Sequence, residues 1–296
     1  MVQQIEKRDA SKGMLLGFVG VVIFSLTLPM TKLIVPYFEP IFIGLGRSVI
    51  AAVVAFILLV VLKESIPNKP QIKQLLLTAI GVIAGFPILI SFGMQTVPAS
   101  HGSVVIGLLP LVTAVFAVLI SHERPSVGFW VAATIGALIV IVYSLLQGGM
   151  TLHLGDIYLL AASILGAWGY AVGGKLSKDM GGWQVICWVN IVGLPFSLLG
   201  AILLMPNDIS SIPADGWFGL LYLALASQLF GFFFWYKGLA IGGIARVSQT
   251  QLLQPFLSII ASIVILGEEV GLSTYIFTVA VVIAIAITRK MSINIK

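Results

Sequence analysis

The sequence predicts an all-α, polytopic membrane protein with ten transmembrane helices in two inverted five-helix repeats. Composition is the first reason: the 296 residues are 59% hydrophobic and 9% charged, whereas a soluble domain carries roughly 25% charged residues. Because so few polar groups cannot cover a water-facing surface, most of the surface is expected to face lipid. The other two reasons are a series of long apolar segments and an internal repeat.

Apolar segments long enough to cross a bilayer recur along the chain. A helix needs about 20 apolar residues to cross about 30 Å of hydrocarbon. Backbone polar groups cannot stay unpaired in lipid, so such runs are predicted to be helices. The longest connection, Lys63–Gln74, carries Pro67 and Pro70 and is predicted to be a loop. The ten predicted spans are Gly13–Val35, Pro40–Leu62, Leu75–Val97, His101–Ile120, Val127–Leu146, Gly155–Lys175, Gln184–Met205, Trp217–Leu239, Ala245–Leu266 and Leu272–Thr288.

One long segment occurs twice. Ser103–Glu123 reads SVVIGLLPLVTAVFAVLISHE, and Ser248–Glu268 reads SQTQLLQPFLSIIASIVILGE. In each copy a proline, Pro110 or Pro255, follows a short apolar lead-in, and an acid closes the apolar run. A self-match at a fixed offset sets the architecture of a chain. This one predicts two related halves.

The distribution of lysine and arginine predicts the orientation. With the N-terminus inside, all of the 16 basic residues fall on the inner side except Lys32 and Arg47, which lie within spans. Inner loops enriched in these residues are the rule for multi-pass proteins. A protein of the cell (inner) membrane with both termini in the cytoplasm is therefore expected. The outer connections instead carry Glu39, Asp156, Asp208, Asp215, Glu268 and Glu269.

Five spans per half is an odd number, so the second half is expected to cross the membrane in the opposite sense. Inverted repeats are typical of transporters, because exchanging the conformations of the halves changes which side is open. The expected boundary between the halves is Gln147–Leu154. The predicted units are a first repeat, 13–146, a second repeat, 155–288, and cytoplasmic tails, 1–12 and 289–296.

Several of these motifs resemble those of the EamA family of the drug/metabolite transporter superfamily. The resemblance rests on Thr96–Glu123 and its twin Ile244–Glu268, with support from Pro40, Arg47 and Ala167–Lys175. It covers nearly the whole chain. It implies a ten-helix inverted-repeat carrier that works by alternating access and exports amino acids or other small metabolites. The implied partners are the lipid bilayer and a small-molecule substrate; the sequence does not define an oligomeric state.

Each copy of the repeat places small and polar residues on one helix face. Ser103 and Pro110 share a face of the fourth predicted span, and Gln251, Pro255 and Ser258 share a face of the ninth. Such faces can line a wet cavity or let helices pack closely. Gln251 is expected to face the cavity, because a buried amide needs several partners. Close packing is expected for Ser258.

Charged residues within spans are site candidates by default. Arg47 lies about six residues inside its span, where a charge costs a few kcal/mol unless it is paired or hydrated. Structural pairing is expected for it, with Glu39 as its nearest possible partner in the sequence. Lys32 is near the outer end of its span and can snorkel. His101 is expected at the interface, or alternatively attracts a substrate carboxylate.

Aromatic and amide residues of the sixth and eighth spans are further candidates. Trp168, Tyr170 and Gln228 suit an amphipathic metabolite, and the rings could hold an ammonium group. Trp235 and Tyr236 are close to the inner end of their span and are expected in the interfacial aromatic belt. The predicted substrate-binding residues are Ser25, Gln95, His101, Trp168, Tyr170, Gln228 and Gln251. The predicted structural or gating residues are Arg47, Pro110 and Pro255.

Other functions have little support in the sequence. It contains no HExxH motif, no nucleophile–base pair at a reachable depth and no GxxxxGK[ST] loop, so neither an enzyme, nor catalytic residues, nor a cofactor is expected. The single cysteine, Cys187, excludes an internal disulfide and a cysteine-based metal cluster, and no metal site is predicted. The basic residues flank spans, so nucleic acid is not an expected partner. A channel-like passive facilitator is the alternative to a carrier, and an intramembrane enzyme is a more distant one.

The sequence also bears on energy coupling. No aspartate or glutamate lies deep inside a predicted span, whereas proton- and ion-coupled carriers usually place one on the pathway. A uniporter, exchanger or passive exporter without a carboxylate relay is therefore expected.

Overall fold

Helices make up nearly all of the computed structural model, which describes residues 2–121, 123–147, 153–289 and 293–295. The first half contains α1 (Val2–Ser25), α2 (Thr27–Ile34), α3 (Pro40–Val61), α4 (Lys69–Ala79), α5 (Phe86–Thr96), α6 (Ala99–Ile106), α7 (Leu109–Ser121) and α8 (Val127–Gln147). The second half contains α9 (Leu154–Met180), α10 (Gly182–Leu203), α11 (Ala214–Leu221), α12 (Gly231–Gly242), α13 (Ile244–Ser248), α14 (Gln254–Leu266) and α15 (Leu272–Arg289). Among the described residues there are also two π-helical segments, Ile80–Gly85 and Tyr222–Phe230, and two 3₁₀ segments, Ile209–Ser211 and Gln249–Leu253.

Eight helical stretches of the described residues are long and apolar enough to cross a membrane. They correspond to the first four predicted spans and to the sixth through ninth. The fifth and tenth predicted spans coincide with α8 and α15, in which only Thr134–Tyr143 and Leu272–Ala284 qualify as apolar helix. The eight stretches are Asp9–Ile34, Pro40–Val61, Lys69–Thr96, Ala99–Ser121, Leu154–Met180, Gly182–Leu203, Ala214–Gly242 and Ile244–Leu266.

A short two-stranded ribbon joins the end of α7 to the C-terminal tail. β1 (Glu123–Pro125) pairs antiparallel with β2 (Ile293–Ile295), and Glu123 lies opposite Ile295. Strands this short show no alternation of apolar and polar residues, so the sequence does not reveal them. The predicted boundary between the halves, Gln147–Leu154, falls mostly outside the described residues.

The predicted loop Lys63–Gln74 is shorter than expected, because α4 already begins at Lys69. The Asn68 side chain accepts a hydrogen bond from the Gln71 backbone at 3.0 Å, and the Gln71 side chain accepts one from the Asn68 backbone at 2.9 Å. Pro70 lies in the first turn, where a missing N–H has no helical partner to lose. This proline therefore starts a helix instead of preventing one.

Glycine pairs allow very close contact between helices. α1 packs against α12, where Gly13 and Gly17 lie against Gly238 and Gly242. A Cβ atom on Gly238 would lie 2.8 Å from the Gly13 carbonyl oxygen and 2.9 Å from the Gly17 backbone nitrogen. Small residues at such crossings let backbones approach in the absence of a hydrophobic driving force. These four glycines therefore allow α1 and α12 to pack closely.

The two halves of the chain are interleaved. α1 of the first half packs against α12 of the second, α3 packs against α10, and both α5 and α7 pack against α9. α14 packs against α2 and α6, so interrupted spans from both halves meet in the interior. The larger of two clusters of buried apolar side chains continues through both halves.

We expect the substitution Gly13→Ala to destabilise the protein. The added Cβ atom would lie 2.6 Å from the backbone of Gly242, which cannot move aside as a flexible side chain can. The expected loss of unfolding free energy is about 1–3 kcal/mol, observed as a lower midpoint of thermal unfolding in detergent. Gly271→Ala is the control, since its Cβ atom would meet only the Ser273 hydroxyl at 3.6 Å. Equal midpoints for the two variants would contradict the tight packing of α1 on α12.

Candidate functional site

Pro110 and Pro255 each lie in the first turn of a helix that follows a break in a span. α6 ends at Ile106, and α7, which contains Pro110, begins at Leu109. In the second half, the 3₁₀ segment Gln249–Leu253 precedes α14, which contains Pro255. A proline is tolerated at this position because no helical hydrogen bond is lost. Irregular backbone at membrane depth is stable only where protein buries it or where it lines a cavity.

A π-helical segment in the third span leaves one carbonyl group without a helical partner. In Ile80–Gly85 the wider π pattern pairs the Phe86 N–H with the Gly81 carbonyl. The next donor in this pattern would be Pro87, which has no N–H. The Val82 carbonyl is therefore available to a side chain.

Gln228 bonds to this carbonyl and also holds Arg47. Its Nε2 donates to the Val82 carbonyl at 3.1 Å, and its Oε1 accepts from Arg47 Nε at 3.1 Å and Nη2 at 2.7 Å. Gln228 belongs to the second π-helical segment, so this chain of bonds connects spans of both halves. Arg47 is 2% exposed and forms no ion pair with a carboxylate of the described residues.

The expectation that Glu39 is the partner of Arg47 is wrong. Glu39 precedes α3 and is exposed, and it lines a separate pocket near the end of α10 together with Gln95. Arg47 lies further along α3 and reaches the interior, where Gln228 is the nearest acceptor. The buried guanidinium group is thus held by a neutral amide, and its charge is not neutralised by that contact.

Tyr170 connects the surroundings of Arg47 with Gln251. Its hydroxyl lies within electrostatic range of Arg47 and faces the Gln251 side chain. Neither amide atom of Gln251 forms a hydrogen bond of good geometry, although the residue is only 2% exposed. We refer to Arg47, Tyr170, Gln228 and Gln251 as the central cluster.

Aromatic rings surround Tyr170. Its ring centroid lies 5.2 Å from that of Trp235, 5.7 Å from that of Phe232 and 6.4 Å from that of Phe24. The Trp235 Nε1 atom is buried and has no hydrogen-bond partner in the described structure. The surroundings of the central cluster therefore combine a cation, unpaired polar groups and apolar walls.

A narrow central void lies beside Gln251. It is too narrow for a water molecule. The two faces predicted from the repeat both contribute to it, through Ser103 in the first half and Gln251 and Ser258 in the second. The lining residues are Leu28, Ser103, Ile106, Gly107, Gln251, Gln254, Pro255 and Ser258.

Comparison with known proteins identifies the family. The profile of the EamA-like transporter family matches residues 11–145 and, separately, residues 153–289. The chain belongs to this family. The resemblance inferred from the repeated proline-and-glutamate helices is confirmed.

Curated relatives of this EamA-like protein match almost end to end. The uncharacterized transporter YdeK of Bacillus subtilis (strain 168) is 43% identical over 95% of this chain and 98% of its own length. The uncharacterized transporter YyaM of the same organism is 25% identical over 92% and 91%. Protein PecM of Dickeya dadantii (strain 3937) is 23% identical over 94% and 92%. These names indicate a transporter rather than an enzyme.

A solved crystal structure shares the fold of this EamA-like protein. It superposes with a TM-score of 0.69 over 94% of this chain and 96% of the other, at 16% sequence identity. At this identity the likeness describes the fold alone.

The remaining substrate-binding candidates lie in different places. Ser25 ends α1 near the central void, and its carbonyl accepts a hydrogen bond from the Ser258 hydroxyl at 2.6 Å. Trp168 is half-buried and donates from Nε1 to the Leu77 carbonyl at 3.0 Å, so it packs against α4. Gln95 is exposed in the pocket near the end of α10 that also contains Glu39. The structure therefore brings Ser25 to the centre but neither Trp168 nor Gln95.

The expectation that Trp235 and Tyr236 lie in an interfacial belt is wrong. Both side chains have no exposed surface, and the Tyr236 hydroxyl donates to the Gly169 carbonyl at 3.1 Å. α12 packs against α1, α9 and α10, so these rings face other helices instead of lipid headgroups. Closeness to a span end along the chain does not show which side of the helix a ring occupies.

A second polar site, which the sequence analysis does not anticipate, contains His101. The His101 Nε2 and Asp156 Oδ1 atoms lie 2.6 Å apart, and the His101 ring stacks on Tyr143 with centroids 5.1 Å apart. Glu268 accepts hydrogen bonds from the backbone nitrogens at the start of α6, close to His101. We refer to His101, Tyr143, Asp156 and Glu268 as the outer cluster, after the side predicted to face away from the cytoplasm.

Two expectations about charged residues change at this site. Asp156, expected in an exposed connection, lies in the first turn of α9 and is fully buried. Lys32 does not simply extend towards water: its Nζ donates to the Met94 carbonyl at 2.7 Å and the Val97 carbonyl at 2.9 Å, at the end of α5. These carbonyls are helix-terminal acceptors, which favour a cation.

We expect Gln228→Leu to destabilise the protein more than its size change explains. The substitution leaves the Val82 carbonyl and the Arg47 guanidinium group without their partner, at an expected cost of about 2–4 kcal/mol. The thermal unfolding midpoint in detergent measures it. The double variant Arg47→Met, Gln228→Leu should be more stable than the sum of the single changes predicts, because the buried charge is then absent. Strictly additive effects would contradict the direct coupling of these two residues.

Proposed function

We propose that this protein is an alternating-access transporter that exports small amphipathic metabolites carrying a carboxylate group, such as amino acids or related compounds. The observation that carries the proposal is the central cluster, in which a buried cation has only neutral partners. The cluster joins elements of both halves of the chain, where a carrier must hold its substrate while either side opens.

The charge of Arg47 indicates the chemical class of the substrate. A cation in a membrane interior costs a few kcal/mol unless it is paired or hydrated. Gln228 offers one oxygen to two of the guanidinium N–H groups. Arginine presents five donors in a planar fork that suits a carboxylate. A substrate carboxylate would supply the missing negative charge.

Unpaired polar groups and rings support the amphipathic part of the proposal. Among the described residues, the Gln254 Oε1 and the Trp235 Nε1 are buried without a hydrogen-bond partner, and the Gln251 amide has only a poorly aligned contact with the Tyr170 hydroxyl. Such groups cost about 1–3 kcal/mol each when left unsatisfied, so a ligand that satisfies them gains this energy. Phe24 and Phe232 beside Tyr170 offer apolar surface to the rest of the molecule.

The proposed architecture is ten transmembrane helices in two inverted repeats, 13–146 and 155–288, with cytoplasmic tails. Two separate family matches support a repeated structure. Interrupted helices at corresponding places, with Pro110 and Pro255 in their first turns, support related roles for the two halves. The one-sided distribution of lysine and arginine supports a place in the cell inner membrane with both termini in the cytoplasm. The narrow central void, lined by residues of both halves, supports a carrier that opens one side at a time.

Ligand-induced stabilisation of the purified protein tests the substrate class. The probes are leucine, phenylalanine and glutamine, each compared with its α-carboxamide, which lacks the carboxylate. We expect at least one of the three amino acids to raise the thermal unfolding midpoint and its amide to have no effect. A ligand at 100 times its Kd stabilises the folded protein by about 2.7 kcal/mol. Equal shifts for an acid and its amide, or no shift with any of the three, would contradict the proposed substrate class.

Variants locate the binding site in the same assay. Gln251→Leu should abolish ligand stabilisation with little effect on the unliganded protein, because the amide loses only its poorly aligned contact with the Tyr170 hydroxyl. Gln95→Leu is the matched control, since Gln95 lies in a different pocket. In vesicles, saturable uptake with counterflow of labelled substrate is expected of a carrier. Uptake that rises linearly with concentration would instead favour a channel-like facilitator.

Thiol labelling in intact cells tests the orientation. Ser210 and Ser65 are exposed in connections predicted to lie outside and inside, respectively, and the native Cys187 is buried. A membrane-impermeant thiol reagent should therefore modify the Ser210→Cys variant and leave the Ser65→Cys variant unmodified until the cells are permeabilised. The reverse pattern would contradict the proposed orientation.

A further inference from the structure

The outer cluster contains the one ion pair found among the described residues. His101 Nε2 and Asp156 Oδ1 lie 2.6 Å apart, and Asp156 has no exposed surface. The second oxygen of Asp156 accepts from the His153 backbone at 3.1 Å. Histidine is the side chain whose charge ordinarily changes between about pH 5 and pH 8.

Water can reach this pair. His101, Tyr143 and Glu268 line a pocket of about 420 Å³ that is wide enough for water. Because an ionised carboxylate only accepts hydrogen bonds, the bond to Asp156 uses the Nε2 hydrogen of His101, and an added proton goes to Nδ1. Uptake of one proton from water in the pocket converts the neutral ring to imidazolium and needs no other reactant.

Glu268 forms a latch between the two halves directly beside this pair. Its Oε1 accepts from the Ala99 backbone at 2.7 Å, and its Oε2 accepts from the Ser100 backbone at 2.9 Å. Ala99 and Ser100 are the first residues of α6, in the first half, whereas Glu268 follows α14, in the second. Opening the outer side requires these two elements to separate, and that breaks both bonds.

The charges around His101 come from several elements. Tyr143 on α8 lies within electrostatic range of both Asp156 and Glu268, and Lys32 on α2 lies within range of Glu268. His153 precedes α9, and Glu269 follows Glu268 in the lining of the same pocket. The titratable and charged groups that surround His101 are Lys32, Tyr143, His153, Asp156, Glu268 and Glu269.

We propose that the His101–Asp156 pair is a proton-binding site, and that its occupancy holds the Glu268 latch and thereby the outer side of the transporter closed. The proposal rests on the alternating-access function proposed above and adds to it a control by external pH. It differs from the expectation that no carboxylate takes part in coupling, an expectation that follows from counting Asp156 among the exposed outer groups.

The sign of the effect follows from the charges. A proton on His101 adds a positive charge at the third residue of α6, at the positive end of the helix dipole. The Glu268 carboxylate, bound to the first N–H groups of the same helix, offsets both positive charges. Protonated His101 therefore depends on the latch more than neutral His101 does. By linkage, the latched state binds the proton more tightly, and acid closes the outer side.

Cysteine accessibility in intact cells tests this proposal without any substrate. Ser103 is buried on α6, one turn beyond Ala99, and lines the central void, so it should become accessible from outside only when the latch opens. The measured quantity is the rate at which an impermeant thiol reagent modifies Ser103→Cys, divided by the rate for Ser210→Cys at the same pH. This ratio removes the pH dependence of the thiol itself. We expect it to rise at least about fivefold between about pH 5.5 and pH 8.

Substitution of each member of the His101–Asp156 pair tests whether the pair causes the pH dependence of the labelling ratio. His101→Gln and Asp156→Asn should remove the pH dependence of the ratio, with His101→Gln fast at every pH, and Glu268→Gln should also be fast at every pH. Asp215→Asn, at an exposed acid outside the pocket, should keep the pH dependence of the unsubstituted protein. Unchanged pH dependence in His101→Gln and Asp156→Asn, or a ratio that falls with rising pH, would overturn the proposal.

The proposed proton site and the proposed transport function can be refuted independently of each other. If Ser210→Cys is modified from outside but the ratio does not change with pH, the proton site is wrong and the transporter proposal is untouched. Loss of ligand stabilisation by amino acids would refute the substrate class and leave the labelling result standing. Size-exclusion profiles of the purified variants show whether each has folded.

Discussion

A carbonyl group that its own helix cannot satisfy determines how the centre of this protein is built. Membrane interiors offer no water to unpaired backbone groups, so such a carbonyl must find a side chain. Pro87 removes the donor that the π-helical segment would present to Val82, and Gln228 from the other half supplies one. The amide then presents its oxygen on the opposite side, where Arg47 binds it. The missing N–H of Pro87 thus leads to hydrogen bonds that connect three spans and hold the buried cation near Tyr170. Tyr170 in turn faces Gln251.

The central cluster is positively charged and the outer cluster is negatively charged, and this difference bears on the direction in which a carboxylate moves. The central cluster carries an arginine with neutral partners, whereas the outer cluster and its pocket hold Asp156, Glu268 and Glu269. A carboxylate is therefore attracted to the central cluster and repelled from the pocket beside the outer cluster. For an exporter this arrangement favours release, because the molecule meets no strong acceptor of its charge on the way out. Neutralisation of part of that negative charge by a proton on His101 would link release to external pH.

Sequence reasoning reached features that depend on length, repetition and helix periodicity. Eight of the predicted spans and the position of Gln251 at the central void follow from such local patterns. Partnerships between distant residues do not. Arg47 and Gln228 are 181 positions apart in the sequence. Glu39 is the acid nearest to Arg47 in the sequence, but it lies before the start of α3, whereas Arg47 lies inside that helix. A proline following a glycine-containing stretch, as at Pro87, was the available signal for the free carbonyl.

The buried polar atoms of Gln251 and its neighbours support the proposal that the central void belongs to a binding site. A buried amide without partners costs about 1–3 kcal/mol, and native structures contain few of them. Packing alone would be served as well by leucine at this position, with no such cost. Among the described residues, Gln251, Gln254 and Trp235 keep buried polar atoms without a well-aligned partner. A ligand that satisfied these atoms would remove this cost, and the charge of Arg47, which Gln228 does not neutralise, supports the carboxylate-bearing substrate proposed above.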